Sequence, residues 1–302
     1  MMDFEKRLTE IAGAANVKLE EPMKNHTTFR IGGPAKRMAF PSSREQLVLL
    51  MSFAKDYGAN PLVIGNGSNL LVPDEGLDRL VIDTSANLNR VERGSGNTVL
   101  ADAGATLART ADLACKSGLT GLEFAHGIPG TVGGAVYMNA GAYGGELKDV
   151  LESVTFLDDN LQLRTLPAAD LAMGYRTSIF EQNPGWCILS VTVVLHRGDG
   201  AAVLAKMQEL LGKRKEKQPL EWPSAGSTFK RPVGAFAGKL IEDCGLRGFT
   251  VGGAQISEKH CGFVINRGGA TCADVVELTE QVKQIVKQKT GFVLEREIRV
   301  VK

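Results

Sequence analysis

Three short segments of the sequence contain side chains that could do chemistry, and the first of them carries an arginine. Arg176 lies among polar neighbours in residues 174–178. A guanidinium can bind a carboxylate through two parallel hydrogen bonds, and it can stabilise negative charge that develops there. The plain alternative is a surface ion pair, and the residue type alone leaves both interpretations open.

The other two segments offer a hydroxyl group and a pair of carboxylates. Residues 224–230 form a loop of small residues around Ser227, but no GxSxG pattern surrounds this serine, so a hydrolase triad is not supported. Turn formation or capping is the alternative role for it. Near the end of the chain Glu295 and Glu297 lie two positions apart, so an extended strand places both on one face. A carboxylate there could position an arginine or relay a proton, and it could equally face solvent.

Glycine is the one residue type in clear excess, at 35 of 302 residues against a usual share of about 7%. One cluster, residues 65–69, follows a predicted buried strand. The dinucleotide fingerprint is incomplete because Leu70 stands where its third glycine belongs, and the chain has no P-loop motif. Consecutive backbone N–H groups beside Ser68 and Asn69 would suit a diphosphate. An ordinary tight turn explains the cluster equally well.

A second glycine cluster, residues 127–135, has small residues on both sides of Pro129. Few side chains there would hold a planar cofactor away from the backbone, so such a ring could stack on the chain. A glycine-rich helix start, packed closely on a neighbouring element, is the alternative. His126 precedes this cluster and could line the same pocket. No metal site is expected, because metal-ligand spacing is absent among the four histidines, His26, His126, His196 and His260.

Composition argues against several classes of protein. The formal net charge is +1, from 35 basic and 34 acidic residues, which argues against a nucleic-acid-binding protein. No apolar run approaches the roughly 18 residues of a membrane helix, and the N-terminus has no apolar signal core. The five cysteines are scattered without a CxxC pair, so neither disulfides nor a zinc site is expected. We expect a cytoplasmic protein that binds small molecules.

Hydrophobic periodicity and turn residues predict an α+β chain of three units, at residues 1–86, 87–197 and 198–302. The predicted helices cover residues 3–13, 44–57, 106–116, 201–217 and 274–290. The predicted strands cover residues 61–64, 80–83, 98–101, 150–157, 162–166, 186–196, 261–266 and 292–301. Residues 248–253 are predicted to form a loop.

Six motifs, taken in order, resemble those of the UDP-N-acetylenolpyruvoylglucosamine reductase family over essentially the whole chain. They occupy residues 27–33, 65–71, 121–134, 174–176, 225–230 and 295–299. The resemblance implies a two-part FAD-binding region of the vanillyl-alcohol-oxidase-like type, followed by an α+β substrate domain. It also implies noncovalent FAD, NADPH as co-substrate, a UDP-sugar substrate, and a cytoplasmic monomer in peptidoglycan precursor synthesis.

The resemblance also assigns roles to individual residues. Arg176 would hold the carboxylate of an enolpyruvyl group and stabilise its developing charge with help from Glu297, while Ser227 would protonate the adjacent carbon. The substrate contacts would be Tyr175, Lys217, Lys230 and Lys259. The cofactor contacts would be Arg30, Gly65, Asn66, Gly67, Ser68, Asn69, Leu70, Gly127, Ile128, Pro129, Gly130, Thr131, Gly133 and Gly134.

Two departures from the family pattern stand out. Longer members carry a tyrosine-bearing loop between the positions of Arg176 and Ser227, and this chain has no tyrosine in that interval. It therefore resembles the shorter subclass, in which another element must cover the substrate. Arg231 stands where an asparagine is common, which would change a diphosphate contact. Two rival interpretations stay open here, a flavin oxidase that uses oxygen and a non-enzymatic flavin- or nucleotide-binding module.

Overall fold

The computed structural model describes residues 4–301 and divides into two compact units. Unit 1 comprises Met1–Leu19, Arg37–Asn66 and Arg79–Lys213, and unit 2 comprises Glu20–Lys36, Gly67–Asp78 and Arg214–Lys302. Unit 2 is therefore assembled from three separate stretches of the chain. The sequence-based division at residues 86 and 197 stays a prediction.

Eight α-helices lie within residues 4–301, and five of them confirm helices predicted from periodicity. Hydroxyl groups of Ser43 and Thr106 accept backbone N–H groups at two helix starts, and Gly291, with φ of +78°, ends the last helix. The first predicted helix begins at residue 3, which lies outside the described residues. The helices are α1 (Phe4–Ala12), α2 (Arg44–Asp56), α3 (Leu107–Lys116), α4 (Val132–Tyr137), α5 (Ile179–Gln182), α6 (Gly200–Lys217), α7 (Ala237–Asp243) and α8 (Cys272–Thr290).

The strands are short, and most of them are two to seven residues long. They are β1 (Val17–Pro22), β2 (Pro34–Ala39), β3 (Leu62–Ile64), β4 (Leu70–Leu71), β5 (Leu77–Asp83), β6 (Val91–Arg93), β7 (Thr98–Asp102), β8 (Leu119–Thr120), β9 (Gly141–Ala142), β10 (Gly145–Glu146), β11 (Leu151–Leu157), β12 (Leu163–Pro167), β13 (Cys187–Val194), β14 (His196–Arg197), β15 (Thr250–Val251), β16 (Ala254–Ile256), β17 (Val264–Asn266) and β18 (Arg299–Val300).

The main sheet of unit 1 is antiparallel and has the strand order β12-β11-β13-β7-β6. Its central strands are rich in β-branched residues, which favour an extended, half-buried backbone. Helices α3 and α4 pack against this sheet. Phe156 stacks on Trp186 with ring centroids 4.6 Å apart, and it meets Phe180 edge-on at 5.2 Å. This buried core supports the loops that carry the candidate cofactor residues of the unit.

A second sheet has the strand order β1-β2-β5-β3, and within unit 1 its strand β3 runs parallel to β5. Helices α1 and α2 bury their apolar sides in the same core cluster, with Leu8, Leu47 and Leu50 fully enclosed. β3 leads directly into the first glycine cluster, so this core fixes where that loop begins.

Unit 2 contains the antiparallel sheet β15-β16-β17 and the long helix α8. The buried residues Val275, Leu278, Val282 and Val286 recur at helical spacing along one side of α8. Thr271 and Asp274 form a capping box at the start of the helix. β18 pairs in parallel with β4, which joins the end of the chain to residues that follow the first glycine cluster.

Two predictions about the last third of the chain are wrong. Residues 292–301 were expected to form one strand, but only Arg299–Val300 is a strand, with a single additional bridge at Arg296. Its partner segments are too short to pair along its whole length. Residues 248–253 were expected to be a loop, but they contain β15, whose two residues pair with β16. The sequence patterns also gave no indication of β1, β2 or α7.

Candidate active site

The first half of the glycine loop at residues 65–69 is held within unit 1. A Cβ added at Gly65 would overlap the Thr131 hydroxyl, so no larger residue fits there without a shift. The Asn66 amide donates a hydrogen bond to the Pro129 carbonyl over 3.2 Å. The structure thus brings together two candidate cofactor segments that are about 60 residues apart in the sequence.

The second glycine cluster is the start of α4, packed closely on a neighbouring loop. Thr131 caps the helix, and the N–H groups of Val132 and Gly133 donate to the carbonyls of Ala105 and Ala103, each over 2.8 Å. A Cβ added at Gly133 would lie 2.9 Å from the Ala103 Cβ. The alternative of a packed helix start therefore describes this part of the cluster. Gly134, in contrast, is exposed and would have room for a side chain.

The second half of the 65–69 loop is held within unit 2. Gly67 has φ of +58°, and a Cβ added there would overlap the His26 carbonyl oxygen and lie 3.0 Å from the Thr27 Cα. Within residues 4–301, no protein oxygen accepts a hydrogen bond from the backbone N–H groups of Gly67, Ser68 and Asn69. Three consecutive N–H groups without a protein acceptor are suited to an anion. This part of the loop therefore fits the diphosphate of a dinucleotide cofactor.

Arg30 lies in a tightly tied loop of unit 2 and has φ of +54°. Its N–H donates to the Thr27 carbonyl, and the buried Asn266 amide donates to the Phe29 carbonyl over 3.2 Å. The Thr28 hydroxyl donates to the Ser224 carbonyl over 2.7 Å. A non-glycine residue in the left-handed region is uncommon and often marks a functional position. The sequence interpretation did not include Asn266 or Thr28 among the functional residues.

Arg176 lies in a turn of unit 1 that is closed by hydrogen bonds between Gly174 and Thr177. Its φ is +57°, which a turn of this kind ordinarily reserves for glycine or asparagine. Nη2 of Arg176 donates to the Gly141 carbonyl over 3.1 Å. The Tyr175 ring centroid lies 5.2 Å from the Arg176 Cζ, within cation–π range. The arginine is therefore directed by contacts on both its backbone and its guanidinium.

Ser227 and Glu297 lie on adjoining segments of unit 2. The Glu297 N–H donates to the Thr228 carbonyl over 2.8 Å, and the Lys230 N–H donates to the Glu295 carbonyl over 2.8 Å. The Asn69 amide donates to the Glu297 carbonyl over 3.1 Å, so the glycine loop is bound to the same extended segment. Ser227 itself is exposed. The structure thus joins three predicted site segments in one unit: the loop at 67–70, the serine loop and residues 295–297.

The three candidate substrate-binding lysines are near the surface of unit 2. Nζ of Lys230 lies 2.6 Å from Oε1 of Glu295, which forms a largely exposed ion pair. Nζ of Lys259 donates to the Lys215 carbonyl over 2.8 Å. Lys217 is the exposed last residue of α6. Their role in substrate binding stays a prediction.

Groups that could bind metal or form disulfides are dispersed through the described chain. Within residues 4–301, no three His, Cys, Asp or Glu side chains are placed to share a metal ion, and the five cysteines are free thiols. Burial raises the pKa of the Cys187 thiol to about 12. His260 is half-buried, and this desolvation lowers its pKa. No helix within the same residues has both the length and the apolarity that spanning a membrane requires.

Comparison with known proteins identifies the class of protein. Residues 35–166 match the model of an FAD-binding domain, and residues 218–301 match the C-terminal domain of UDP-N-acetylenolpyruvoylglucosamine reductase. Fold and site together define an FAD-binding oxidoreductase of α+β class, which confirms the predicted fold class and cofactor.

Relatives along the full length identify the family. The chain is 47% identical over 295 residues to the UDP-N-acetylenolpyruvoylglucosamine reductase of Caldanaerobacter subterraneus subsp. tengcongensis, covering 98% of this chain and 97% of the relative. The enzyme of the same name from Geobacillus kaustophilus is 47% identical over 296 residues, covering 98% of this chain and 96% of the relative. The crystal structure of the enzyme from Thermus caldophilus superposes with a TM-score of 0.80 at 36% identity, over 95% of this chain and 98% of that one. The chain belongs to the UDP-N-acetylenolpyruvoylglucosamine reductase family.

Proposed function

We propose that this protein reduces the enolpyruvyl group of UDP-N-acetylglucosamine enolpyruvate to give UDP-N-acetylmuramate for peptidoglycan, with NADPH as the electron donor. Family membership over nearly the whole chain supports the substrate. The observation that carries the site assignment is the pairing of Thr228 with Glu297, because it places two chemically suited segments side by side.

Each unit contains candidate FAD contacts of its own. In unit 1 they are Gly65, Asn66, Gly127, Ile128, Pro129, Gly130, Thr131, Gly133 and Gly134. In unit 2 they are Arg30, Gly67, Ser68, Asn69 and Leu70. The run of N–H groups from Gly67 to Asn69 supports binding of the cofactor diphosphate, which Arg30 would help to neutralise. When bound, FAD supplies the two-electron carrier between NADPH and the enolpyruvyl group.

Arg176 is the group that we assign to the substrate carboxylate. A guanidinium has five N–H donors in a rigid fork, and the Gly141 carbonyl engages one nitrogen of that fork. The left-handed turn and this hydrogen bond fix the direction of the fork before substrate arrives, so little reorganisation is needed when negative charge develops. Tyr175 packs beside the guanidinium and would contribute to the same contact.

Ser227 is the group that we assign to protonation of the substrate carbon, with Glu297 acting in support. A serine hydroxyl is a weak acid in water, so its position relative to the substrate must supply most of its effect. The ladder between residues 228–230 and 295–297 fixes the backbone next to both side chains. Lys217, Lys230 and Lys259 would contribute positive charge toward the UDP group.

The rest of the assignment concerns partners and location. With 35 basic and 34 acidic residues the chain has no charge excess to favour nucleic acid, and we assign it to small-molecule substrates in the cytoplasm, as a monomer.

Purified holoprotein tests the reaction directly. NADPH oxidation should be slow in the protein alone and should accelerate when the enolpyruvyl UDP-sugar is added, with one NADPH consumed for each sugar reduced. A control with oxygen as the only acceptor separates a reductase from an oxidase. NADPH oxidation at the same rate with and without the sugar would contradict the proposal.

A further inference from the structure

Backbone strain is concentrated around Arg176. Residues 4–301 include seven non-glycine residues with positive φ, and four of them lie in the two segments 139–143 and 172–176. They are Asn139 at +43°, Tyr143 at +54°, Ala172 at +47° and Arg176 at +57°. Such conformations persist only where the surroundings enforce them. The contacts between these two segments must therefore be strong enough to hold the turn of Arg176.

Asn139 supplies the central contact between the segments. Its side chain is fully buried, and Nδ2 donates to the Gly174 carbonyl over 2.9 Å and to Oε2 of Glu146 over 2.8 Å. Oδ1 of Asn139 accepts the N–H of Lys148 over 3.0 Å. Since an ionised carboxylate can only accept hydrogen bonds, Glu146 fixes which end of the amide faces Gly174. Glu146 thereby orients the Asn139 amide, and the oriented amide donates to the Gly174 carbonyl.

These contacts connect Arg176 to the segment 139–146 at two points, its turn and its guanidinium. Gly174 begins the turn that contains Arg176, and the guanidinium of Arg176 reaches back to the Gly141 carbonyl. Gly141 is paired with Glu146 across the hairpin of β9 and β10, and Glu146 binds Asn139. A Cβ added at Gly141 would lie 2.7 Å from the Gly145 carbonyl oxygen, so the hairpin needs glycine to close. The backbone and the guanidinium of Arg176 are thus both fastened to one small hairpin.

We propose that Asn139, oriented by Glu146, is a positioning residue that holds Arg176 in its productive conformation. Asn139 acts on the substrate only through the turn at Gly174. This inference rests on the proposed function, in which Arg176 binds the substrate carboxylate.

The first test replaces Asn139 by glycine, which tolerates a φ of +43° and therefore removes only the side chain. Flavin reduction by NADPH should stay within about twofold of wild type. Flavin reoxidation by the enolpyruvyl UDP-sugar should slow by roughly 10- to 100-fold, the size expected when a reacting group is misplaced by about 1 Å. Asn16→Gly is the matched control, because Asn16 also donates to a backbone carbonyl of unit 1, that of Ala12, and its other side-chain partner is the Ser42 hydroxyl. It should lower the thermal midpoint without slowing reoxidation.

The second test combines Asn139→Gly with Arg176→Ala. If Asn139 acts through Arg176, the double variant should be no slower in sugar-dependent reoxidation than Arg176→Ala alone. Additive losses would overturn the inference, as would a wild-type reoxidation rate in Asn139→Gly. A wild-type rate in Arg176→Ala would instead contradict the proposed role of the arginine, and this inference would fail with it.

A third variant guards against misfolding of Asn139→Gly. The exchange Asn139→Asp with Glu146→Gln restores a hydrogen bond between the two positions with its polarity reversed, but it leaves the Gly174 carbonyl without its donor. The thermal midpoint should recover most of the loss that Asn139→Asp causes alone, while sugar-dependent reoxidation stays at least about tenfold slow. Recovery of both would show that Asn139 contributes only to stability and would overturn the inference.

Discussion

Gly67→Ala is the sharpest test of the proposed diphosphate site, which consists of the backbone N–H groups of Gly67, Ser68 and Asn69. Gly67 and Gly96 share a φ of +58°, but they differ in their surroundings. A Cβ at Gly67 would overlap the His26 carbonyl oxygen, whereas a Cβ at Gly96 would meet no heavy atom within 4 Å. Both alanine variants are strained in the left-handed region by about 1–2 kcal/mol. Only Gly67→Ala must also displace the backbone of the loop.

The displacement sets the expected magnitude. Overpacking of this kind costs a further ~1–3 kcal/mol, so Gly67→Ala should lose about 2–5 kcal/mol of unfolding free energy and Gly96→Ala about 1–2 kcal/mol. At roughly 2–4 °C per kcal/mol, the two apoproteins should differ clearly in thermal midpoint. Because the N–H groups of Gly67, Ser68 and Asn69 move with the loop, FAD affinity should fall by at least about tenfold in Gly67→Ala, the equivalent of about 1.4 kcal/mol.

Titration of each apoprotein with FAD, followed by flavin fluorescence, measures this affinity. Gly96→Ala should bind FAD as the wild type does. If Gly67→Ala matches Gly96→Ala in both thermal midpoint and FAD affinity, then the loop is not fixed against His26, and the diphosphate site is wrongly assigned.

Three further predictions concern catalysis and pH. Ser227→Ala should leave flavin reduction by NADPH nearly intact while slowing reoxidation by the sugar about 10²- to 10⁴-fold, and equal losses in both half-reactions would refute the proton-donor role. Arg176→Lys should lose at least about 100-fold in turnover despite its charge, because the planar fork is gone, and near-normal turnover would remove Arg176 from the mechanism. Hydrogen bonds from the N–H groups of Thr271, the larger cause, and Gly253 lower the pKa of Asp274. Because the folded pKa is depressed, this stabilisation is complete above the ordinary Asp pKa of about 4 and is lost as pH falls below it. The stability advantage of wild type over Asp274→Asn should therefore shrink on acidification, and urea titrations that show a constant difference between pH 3 and 7 would contradict this.

Local signals in the sequence predicted the helices well. Thr106 and Gly118 bracket α3, and Gly291 ends α8, because a capping hydroxyl and a left-handed glycine act within one turn of the backbone. Because these signals are local, they could not decide whether the glycine cluster at 127–135 is a contact for a planar cofactor or a packed helix start. The packing of Gly133 on Ala103 involves a residue 30 positions away that no local pattern indicates.

Contacts between distant segments limited the prediction of the site. Alternation predicted different directions for the neighbouring side chains Glu295 and Arg296, and these do meet different partners, Lys230 and Thr279. It could not show that Thr228 lies beside Glu297, because the partner of an extended segment is set by tertiary packing. Asn139 was overlooked for the same reason. Its one signal was the tolerance of asparagine for left-handed backbone, two positions before a glycine.

The pairing of β4 with β18 has a consequence for the order in which the protein can fold during synthesis. The amide of Asn69 meets its partner, the Glu297 carbonyl, 228 residues further along the chain. The carboxylate of Asp74 accepts hydrogen bonds from the N–H groups of Cys272 and Ala273 at the start of α8, which are 198 and 199 residues further along the chain. A nascent chain emerges at ~5–20 residues per second, so the stretch from Gly67 to Asp78 stays without its partners for roughly ten seconds or more. Unit 2 can therefore be completed only after residues 299–300 leave the ribosome, and a separately expressed fragment that starts at Arg214 would lack β4, the strand with which β18 pairs.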